Sequence, residues 1–92
     1  MSDFELNVKM TGNSSTGDFL AAYIQLRPGS SERTQELIDG LVFADYAADG
    51  RLCGLELLNY CDPKRLCEFI KDEPELVKRF VLWAAPRQME YA

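Results

Sequence analysis

The hydrophobic period of this chain changes once, at Asp62-Pro63, and this change restricts the possible folds more than any other feature. Upstream, apolar residues recur at every second position, most clearly over residues 4–10, as they do in half-buried β-strands. Downstream, they recur every three or four positions, as on one side of a helix. The chain is therefore predicted to have a β-sheet half over residues 1–60, a helical half over residues 61–86 and a loose tail over residues 87–92.

Four segments of the first half carry the strand pattern. They are residues 4–10, 19–26, 41–46 and 52–58. Residues 33–39 are polar and are interpreted as a short extended link that leads to Gly40. Because the strands are separated by short polar turns, they are predicted to form a four-stranded antiparallel meander sheet.

The strongest turn signal is Asp49-Gly50, which suits a two-residue type I′ turn in which both residues have positive φ. Counting outward from this turn predicts a hairpin register. The register pairs Phe43 with Glu56, Asp45 with Gly54, and Tyr46 with Cys53. It places Asp45 and Glu56 on the same face of the sheet as diagonal neighbours, roughly 7–8 Å apart.

The second half carries two helix start signals. Asp62 can cap the first helix and Pro63 suits its first position. Asp72-Glu73-Pro74 repeats the pattern, and Pro74 would break a single long helix. Two short helices are therefore predicted, with Trp83 as a core anchor of the second. They would cover the apolar face of the sheet, in an α+β fold. That face comprises Leu6, Val8, Leu20, Ala22, Ile24, Val42, Ala44, Cys53, Leu55 and Leu57.

Composition narrows the function classes. The chain has 92 residues, which predicts a single domain over residues 1–92, and 47% of them are hydrophobic, as in globular proteins. It has no histidine, the commonest general base and metal ligand. The net charge is −5, and residues 1–61 carry nine acidic and four basic residues, so the acidity lies in the sheet half. We therefore expect neither nucleic acid nor an anionic membrane as a partner.

The termini and cysteines predict a cytoplasmic protein. The acidic N-terminus lacks the pattern of a signal peptide, and no apolar run reaches the roughly 18 residues of a membrane helix. Cys53, Cys61 and Cys67 have no Cys-x-x-Cys spacing, so we expect reduced thiols, no metal site and no cofactor.

The sheet face opposite the helices is the candidate site, because it combines apolar residues with two carboxylates. Its predicted members are Tyr23, Leu41, Phe43, Asp45, Leu52, Gly54, Glu56 and Leu58. Three interpretations remain open: a solvated face, a docking face whose acids pair with basic residues of a partner, and a catalytic or metal-binding pair of acids.

A calcium-loop interpretation of the same segment fails on its flanks. Asp45, Asp49-Gly50 and Glu56 have the spacing of an EF-hand loop, although Ala47 replaces one ligand. An EF-hand needs a helix on each side, and here both flanks have the pattern of strands. A hairpin without calcium is therefore predicted.

Two blocks of the chain match a family pattern. Residues 22–26 read Ala-Tyr-Ile-Gln-Leu, and residues 45–58 read Asp-Tyr-Ala-Ala-Asp-Gly-Arg-Leu-Cys-Gly-Leu-Glu-Leu-Leu. Over about residues 21–60, the chain resembles the bacterial domain of unknown function 2283 family. Ala47 stands where typical members have aspartate, and residues 62–92 extend past the usual family end. The resemblance implies a small antiparallel sheet and assigns no catalytic residue. Some members resemble partners of small toxin-like proteins, which favours a binding role.

These observations lead to one functional expectation and one alternative. We expect a non-enzymatic interaction module, self-associating as a homodimer, whose acidic sheet half masks a basic partner in the manner of an antitoxin. The alternative is a small-ligand or metal-binding protein, or an enzyme, that uses the Asp45 and Glu56 carboxylates.

Overall fold

The computed structural model describes residues 4–29 and 31–85 as an antiparallel sheet with two helices. The predicted tail, residues 87–92, lies outside the described residues. The elements are β1 (Asn7–Gly12), β2 (Phe19–Gln25), β3 (Arg33–Ile38), β4 (Val42–Tyr46), β5 (Leu52–Leu57), α1 (Pro63–Phe69) and α2 (Glu75–Ala84). None of the helices in the described part of the chain combines the length and apolarity needed to span a membrane.

The sheet has five strands in the order β1-β2-β5-β4-β3, and all pairs are antiparallel. The predicted four-stranded meander is therefore wrong in two respects. The polar segment interpreted as a link forms the edge strand β3, and β5 returns beside β2 instead of following in sequence order. The first four residues of β3, from Arg33 to Glu36, are all polar and exposed, so the strand lacks the apolar alternation that would have revealed it.

The β4–β5 hairpin is confirmed, but its turn is not of the predicted type. Gly50 has φ of +87°, whereas no residue other than glycine has positive φ among those described, so Asp49 does not meet the type I′ requirement. The amide of Gly50 donates to the carbonyl of Ala47 at 2.9 Å, and the amide of Ala47 donates to the carbonyl of Arg51 at 2.9 Å. The loop therefore has three residues, and its glycine adopts the left-handed conformation.

The longer loop is accompanied by a bulge in β5. Phe43 faces Glu56 and Asp45 faces Gly54, as predicted, but Tyr46 faces Leu52 instead of Cys53. Cys53 is the extra residue, and its carbonyl accepts the amides of Leu26 and Arg27 at 2.8 and 3.2 Å. Because one residue is inserted, Leu52 leaves the predicted candidate face and is buried in the core.

The two helices begin at the predicted signals but differ at their caps. The Asp62 carboxylate accepts the amide of Lys64 at 3.0 Å, and Pro63 occupies the first turn of α1. Pro74 is the N-cap residue of α2 and makes no side-chain cap. The first helix therefore follows the capping prediction, whereas the second begins at Glu75 without a capping side chain.

The core lies between the helices and one face of the sheet. Its fully buried large side chains are Ile24, Leu26, Leu55, Leu57, Leu66, Ile70, Val42, Val77 and Val81. Two predicted positions differ: Leu20 is 48% exposed and Trp83 is 74% exposed. The helices therefore cover only part of the apolar sheet face, and Trp83 does not anchor the core.

One ion pair ties the end of β2 to the link between the helices. The Arg27 guanidinium donates from Nη1 and Nη2 to the two carboxylate oxygens of Glu73 at 3.1 and 2.8 Å, and Nη1 also reaches the carbonyl of Leu52 at 2.7 Å. Its carbon lies 4.9 Å from the centre of the Phe4 ring. The hydrogen bonds to Glu73 raise the pKa of Arg27. The pair therefore fixes the helices relative to the sheet through a largely buried contact.

Candidate functional site

The sheet face opposite the helices, called here the open face, is arranged in cross-strand rows. One row, in order across the sheet, is Lys9, Tyr23, Glu56, Phe43 and Glu36. The next row is Asn7, Gln25, Gly54, Asp45 and Thr34. Directly opposite residues share a face of a sheet, so the register places the predicted carboxylates Asp45 and Glu56 in adjacent rows of this face.

Tyr23 crosses from one row to the next. Its hydroxyl donates to Oδ2 of Asp45 at 3.0 Å, two strands away. The side chain passes directly over Gly54, where an added Cβ would lie 2.6 Å from Cζ of Tyr23. Gly54 is consequently buried, although neither α1 nor α2 covers this face. A glycine at this position is therefore required by the path of the tyrosine ring.

Asp45 is held from both sides. Its Oδ1 accepts a hydrogen bond from the Thr34 hydroxyl at 2.6 Å, while Oδ2 accepts the bond from Tyr23. The carboxylate, which belongs to β4, thus links the neighbouring strand β3 to β2, which lies on the far side of β5. Each of its two oxygens thus accepts a hydrogen bond from another strand, and Asp45 helps to order the open face.

The Tyr23 hydroxyl has a strongly shifted pKa. Burial is the largest cause and the hydrogen bond to Asp45 the next, and together with nearby negative charge they raise its pKa to about 12. At neutral pH the phenol is therefore protonated and serves as a donor. This pKa is far from the operating range of a general acid or base.

Glu56 differs from Asp45 because its carboxylate is unpaired. The residue is exposed in the centre of its row, between Tyr23 and the half-buried Phe43. No hydrogen bond or ion pair joins its carboxylate to any other residue in the described ranges. Glu56 and Phe43 therefore place a free negative charge beside apolar surface, which is the combination that binds a lysine or arginine side chain.

The structure does not bring all of the predicted site residues onto the open face. Leu52 is buried in the core, and Leu41 is half-buried and packs against the core. Leu58 follows β5, is 42% exposed, and donates its amide to the carbonyl of Leu41. The predicted residues that the register places on the open face are Tyr23, Phe43, Asp45, Gly54 and Glu56.

A shallow pocket of about 170 Å³ lies beside Tyr23 on the β1 side. It is lined by Lys9, Thr11, Ala21, Ala22, Tyr23 and Glu56. Glu56 thus borders both this pocket and the Phe43 surface.

Sequence reasoning missed Lys9 and Thr34 because their contribution depends on the neighbours that the strand order gives them. The alternation of β1 was the available signal for Lys9, whereas β3 offered none for Thr34.

Within residues 4–29 and 31–85, no three histidine, cysteine, aspartate or glutamate side chains are grouped so that they could hold a metal ion. Cys53, Cys61 and Cys67 are free thiols, and burial raises the pKa of Cys61. Asp49, part of the calcium-like spacing, binds Arg51 through its side chain at 2.6 Å. The geometry of the described residues thus offers the open face, and no metal cluster, as the candidate site.

Comparison with known proteins adds one finding. Residues 21–60 match the model of a family described as a protein of unknown function, DUF2283, which confirms the resemblance over this stretch. The match begins within β2, ends three residues after β5, and thus includes Tyr23, Asp45, Gly54 and Glu56. No curated protein and no solved structure was found to match the chain.

Proposed function

We propose that this protein is a non-enzymatic interaction module whose open face binds a basic protein partner. The observation that carries the proposal is the unpaired Glu56 carboxylate, held beside Phe43 on a face that hydrogen bonds make rigid. A rigid surface loses little conformational entropy on binding. The proposal includes masking of a small basic, toxin-like protein by this face.

Rigidity comes from the Tyr23–Asp45–Thr34 hydrogen bonds. They join three strands across the face without using Glu56, whose neighbours in the row are ring surfaces. The face therefore presents a fixed aromatic surface with one free acceptor at its centre. An interface of this kind has an apolar centre in which a single well-placed ion pair sets orientation.

The charge of the face favours a basic partner. Its two rows carry three carboxylates, from Glu36, Asp45 and Glu56, against one ammonium group, from Lys9. The sheet half as a whole carries the net charge of −5. Such a surface attracts a basic protein from a distance and repels acidic ones. The free thiols suit a cytoplasmic setting for this encounter.

The pocket beside Tyr23 supports a second candidate, binding of a small ligand. Lys9 and Glu56 stand on either side of the tyrosine, so the pocket offers one positive and one negative group. Its volume is small compared with the roughly 300–1,000 Å³ of typical ligand sites, and the pocket is open to solvent. The interaction role is therefore the better-supported proposal.

The test is capture of the tagged chain's partners from extract of its source cells, followed by affinity measurement with the purified partner. We expect a basic protein near one-to-one stoichiometry. Glu56→Arg should weaken its binding by at least tenfold, since it replaces an attraction at the centre of the interface with a repulsion. Phe43→Lys should act in the same direction.

The matched control is Glu68→Arg, which makes the same charge change at an exposed position of α1. It should bind the partner as the wild type does. Circular dichroism spectra and thermal midpoints show whether each variant is folded. Capture of no basic protein, or equal affinity of wild type, Glu56→Arg and Phe43→Lys, would contradict the proposal.

A further inference from the structure

The pocket beside Tyr23 is formed by the path of one side chain and the small size of another. The Tyr23 side chain leans away from β1 and passes over Gly54 of β5. Ala21, the preceding residue of β2 on the open face, carries only a methyl group. Because β5 ends at Leu57, opposite Ala22, the sheet narrows beside Ala21. These features leave a space of about 170 Å³ on the open face beside β1.

Two unpaired groups of opposite charge line this pocket. Lys9 and Glu56 lie directly opposite Tyr23 on its two sides, and both are exposed. Within residues 4–29 and 31–85, neither side chain forms an ion pair or a hydrogen bond. The pocket therefore has a free ammonium group on its β1 side and a free carboxylate on its β5 side.

The remaining walls restrict the ligand further. The Thr11 hydroxyl lies on the same side of β1 as Lys9, so the β1 wall offers two donors, which suit a carboxylate. The Tyr23 hydroxyl is bonded to Asp45, so this side chain offers the pocket mainly carbon surface, as Ala21 does. A matching ligand has a carboxylate toward β1, an ammonium group toward β5 and carbon atoms between them.

The strand spacing limits the length of such a ligand. Lys9 and Glu56 lie on strands that flank β2, so their Cα atoms are about 9.5 Å apart. Side chains stand roughly perpendicular to a sheet, which keeps the charged groups about as far apart. One charge-assisted hydrogen bond of about 2.8 Å at each end leaves about 4 Å for the ligand's own charged groups. This distance suits one or two carbon atoms between amine and carboxylate.

We infer that this pocket binds a small zwitterionic amino acid, with its carboxylate on Lys9 and Thr11 and its ammonium group on Glu56. The inference rests on the small-ligand candidate above and names the chemical class of its ligand. It does not depend on the binding of a protein partner. Because the pocket is small and open, the affinity should be weak, in the millimolar range.

Titration of the ¹⁵N-labelled chain with L-alanine and with β-alanine tests the ligand class. We expect saturable amide shifts at Lys9, Thr11, Ala21 and Glu56. Methylamine and acetate each carry one of the two charges and should bind about tenfold more weakly or worse, because each forms only half of the contacts. The longer 6-aminohexanoate should also bind more weakly. Absence of saturable shifts with both amino acids, or equal binding of acetate or methylamine, would overturn the inference.

Charge reversal tests the two contacts. Lys9→Glu and Glu56→Lys should each weaken amino-acid binding by about tenfold or more, because one attraction becomes a repulsion. The double variant should bind again, since a zwitterion can turn around between exchanged charges. Lys64→Glu makes the same change at an exposed position of α1 and should bind as the wild type does. Circular dichroism shows whether each variant is folded. A folded double variant as weak as the single ones would contradict the inference.

The same variants separate this inference from the interaction proposal. Lys9→Glu adds a carboxylate to the open face, so it should not weaken binding of a basic protein even though it abolishes amino-acid binding. A chain that binds no amino acid but captures a basic protein would overturn the inference alone. A chain that binds the amino acid but captures no basic protein would overturn the interaction proposal alone.

Discussion

The two faces of this sheet are stabilised by different physics. On the covered face, alternate residues of the central strands are aliphatic and fully buried beneath α1 and α2. On the open face, a tyrosine, an aspartate and a threonine are joined by hydrogen bonds, and the glycine between them is covered by the tyrosine. Burial of apolar area stabilises the first face, whereas directional bonds order the second. Stability should therefore depend most on the covered face and less on the open face, whereas recognition should depend on the open face.

Neighbouring residues of β5 give the largest contrast. Leu55 is fully buried under the helices, and Glu56 points to the open face and is exposed. Leu55→Ala should lower the free energy of unfolding by about 3–4 kcal/mol, because it leaves a cavity. Glu56→Ala should change it by less than about 0.5 kcal/mol. Urea unfolding measures both, and equal losses would contradict the difference between the faces.

The ion pair at the edge of the covered face should show the next largest effect. Glu73→Ala leaves the buried Arg27 charge without its partner and should cost about 3 kcal/mol. The double variant Arg27→Met with Glu73→Leu removes both charges and should recover most of that loss. If the midpoint of urea unfolding is the same for Glu73→Ala as for the wild type, the ion pair does not fix the helices to the sheet.

Gly54→Ala tests the crossing of the tyrosine over the glycine. The new Cβ would collide with Tyr23, so the ring must move away from Asp45. We expect a loss of about 1–3 kcal/mol and a fall of the Tyr23 pKa toward its usual value near 10. Gly12→Ala is the matched control, because Gly12, like Gly54, is a strand glycine without positive φ, and its added Cβ comes no closer than 3.4 Å to another atom. A Tyr23 pKa near 12 in Gly54→Ala would contradict the crossing.

The smallest effect concerns the hydrogen bond itself. Tyr23→Phe should cost about 1 kcal/mol below pH 10. The folded-state pKa of Tyr23 is raised to about 12. The wild type should therefore have a larger free energy of unfolding than Tyr23→Phe below pH 10, and this difference should disappear as the pH rises from 10 to 12. Asp45→Asn should lower that pKa only part of the way, because burial is its largest cause. Ultraviolet titration of the phenol, with Tyr46→Phe as control, measures the shift.

The sequence predicted what local patterns determine. The alternation of the central strands, the hairpin at Asp49-Gly50 and the cap at Asp62 all depend on residues close in the chain. The prediction of Asp45 opposite Gly54 was correct because the bulge begins only beyond that pair. Loop length could not be predicted from Asp-Gly alone, and the inserted residue moved Leu52 to the other face.

The rest depends on neighbours that are distant in the chain. β3 is an exposed edge strand, and its pairing with β4, not a pattern in its own residues, identifies it as a strand. The bond from Tyr23 to Asp45 requires β5 to lie between β2 and β4, which a meander would not provide. Trp83 has helical spacing, but the small core fills with Val77 and Val81 and leaves the tryptophan outside. Topology and core volume, and not local pattern, therefore decide these features.

The most direct test of the interaction proposal is an NMR map of the contact surface. The ¹⁵N-labelled chain is titrated with the basic protein that it captures, and amide shifts are recorded for each residue. We expect the largest changes at Thr34, Phe43, Gly54 and Glu56, and no change in α2. Changes confined to residues 63–84, with the amides of the open face unmoved, would contradict it.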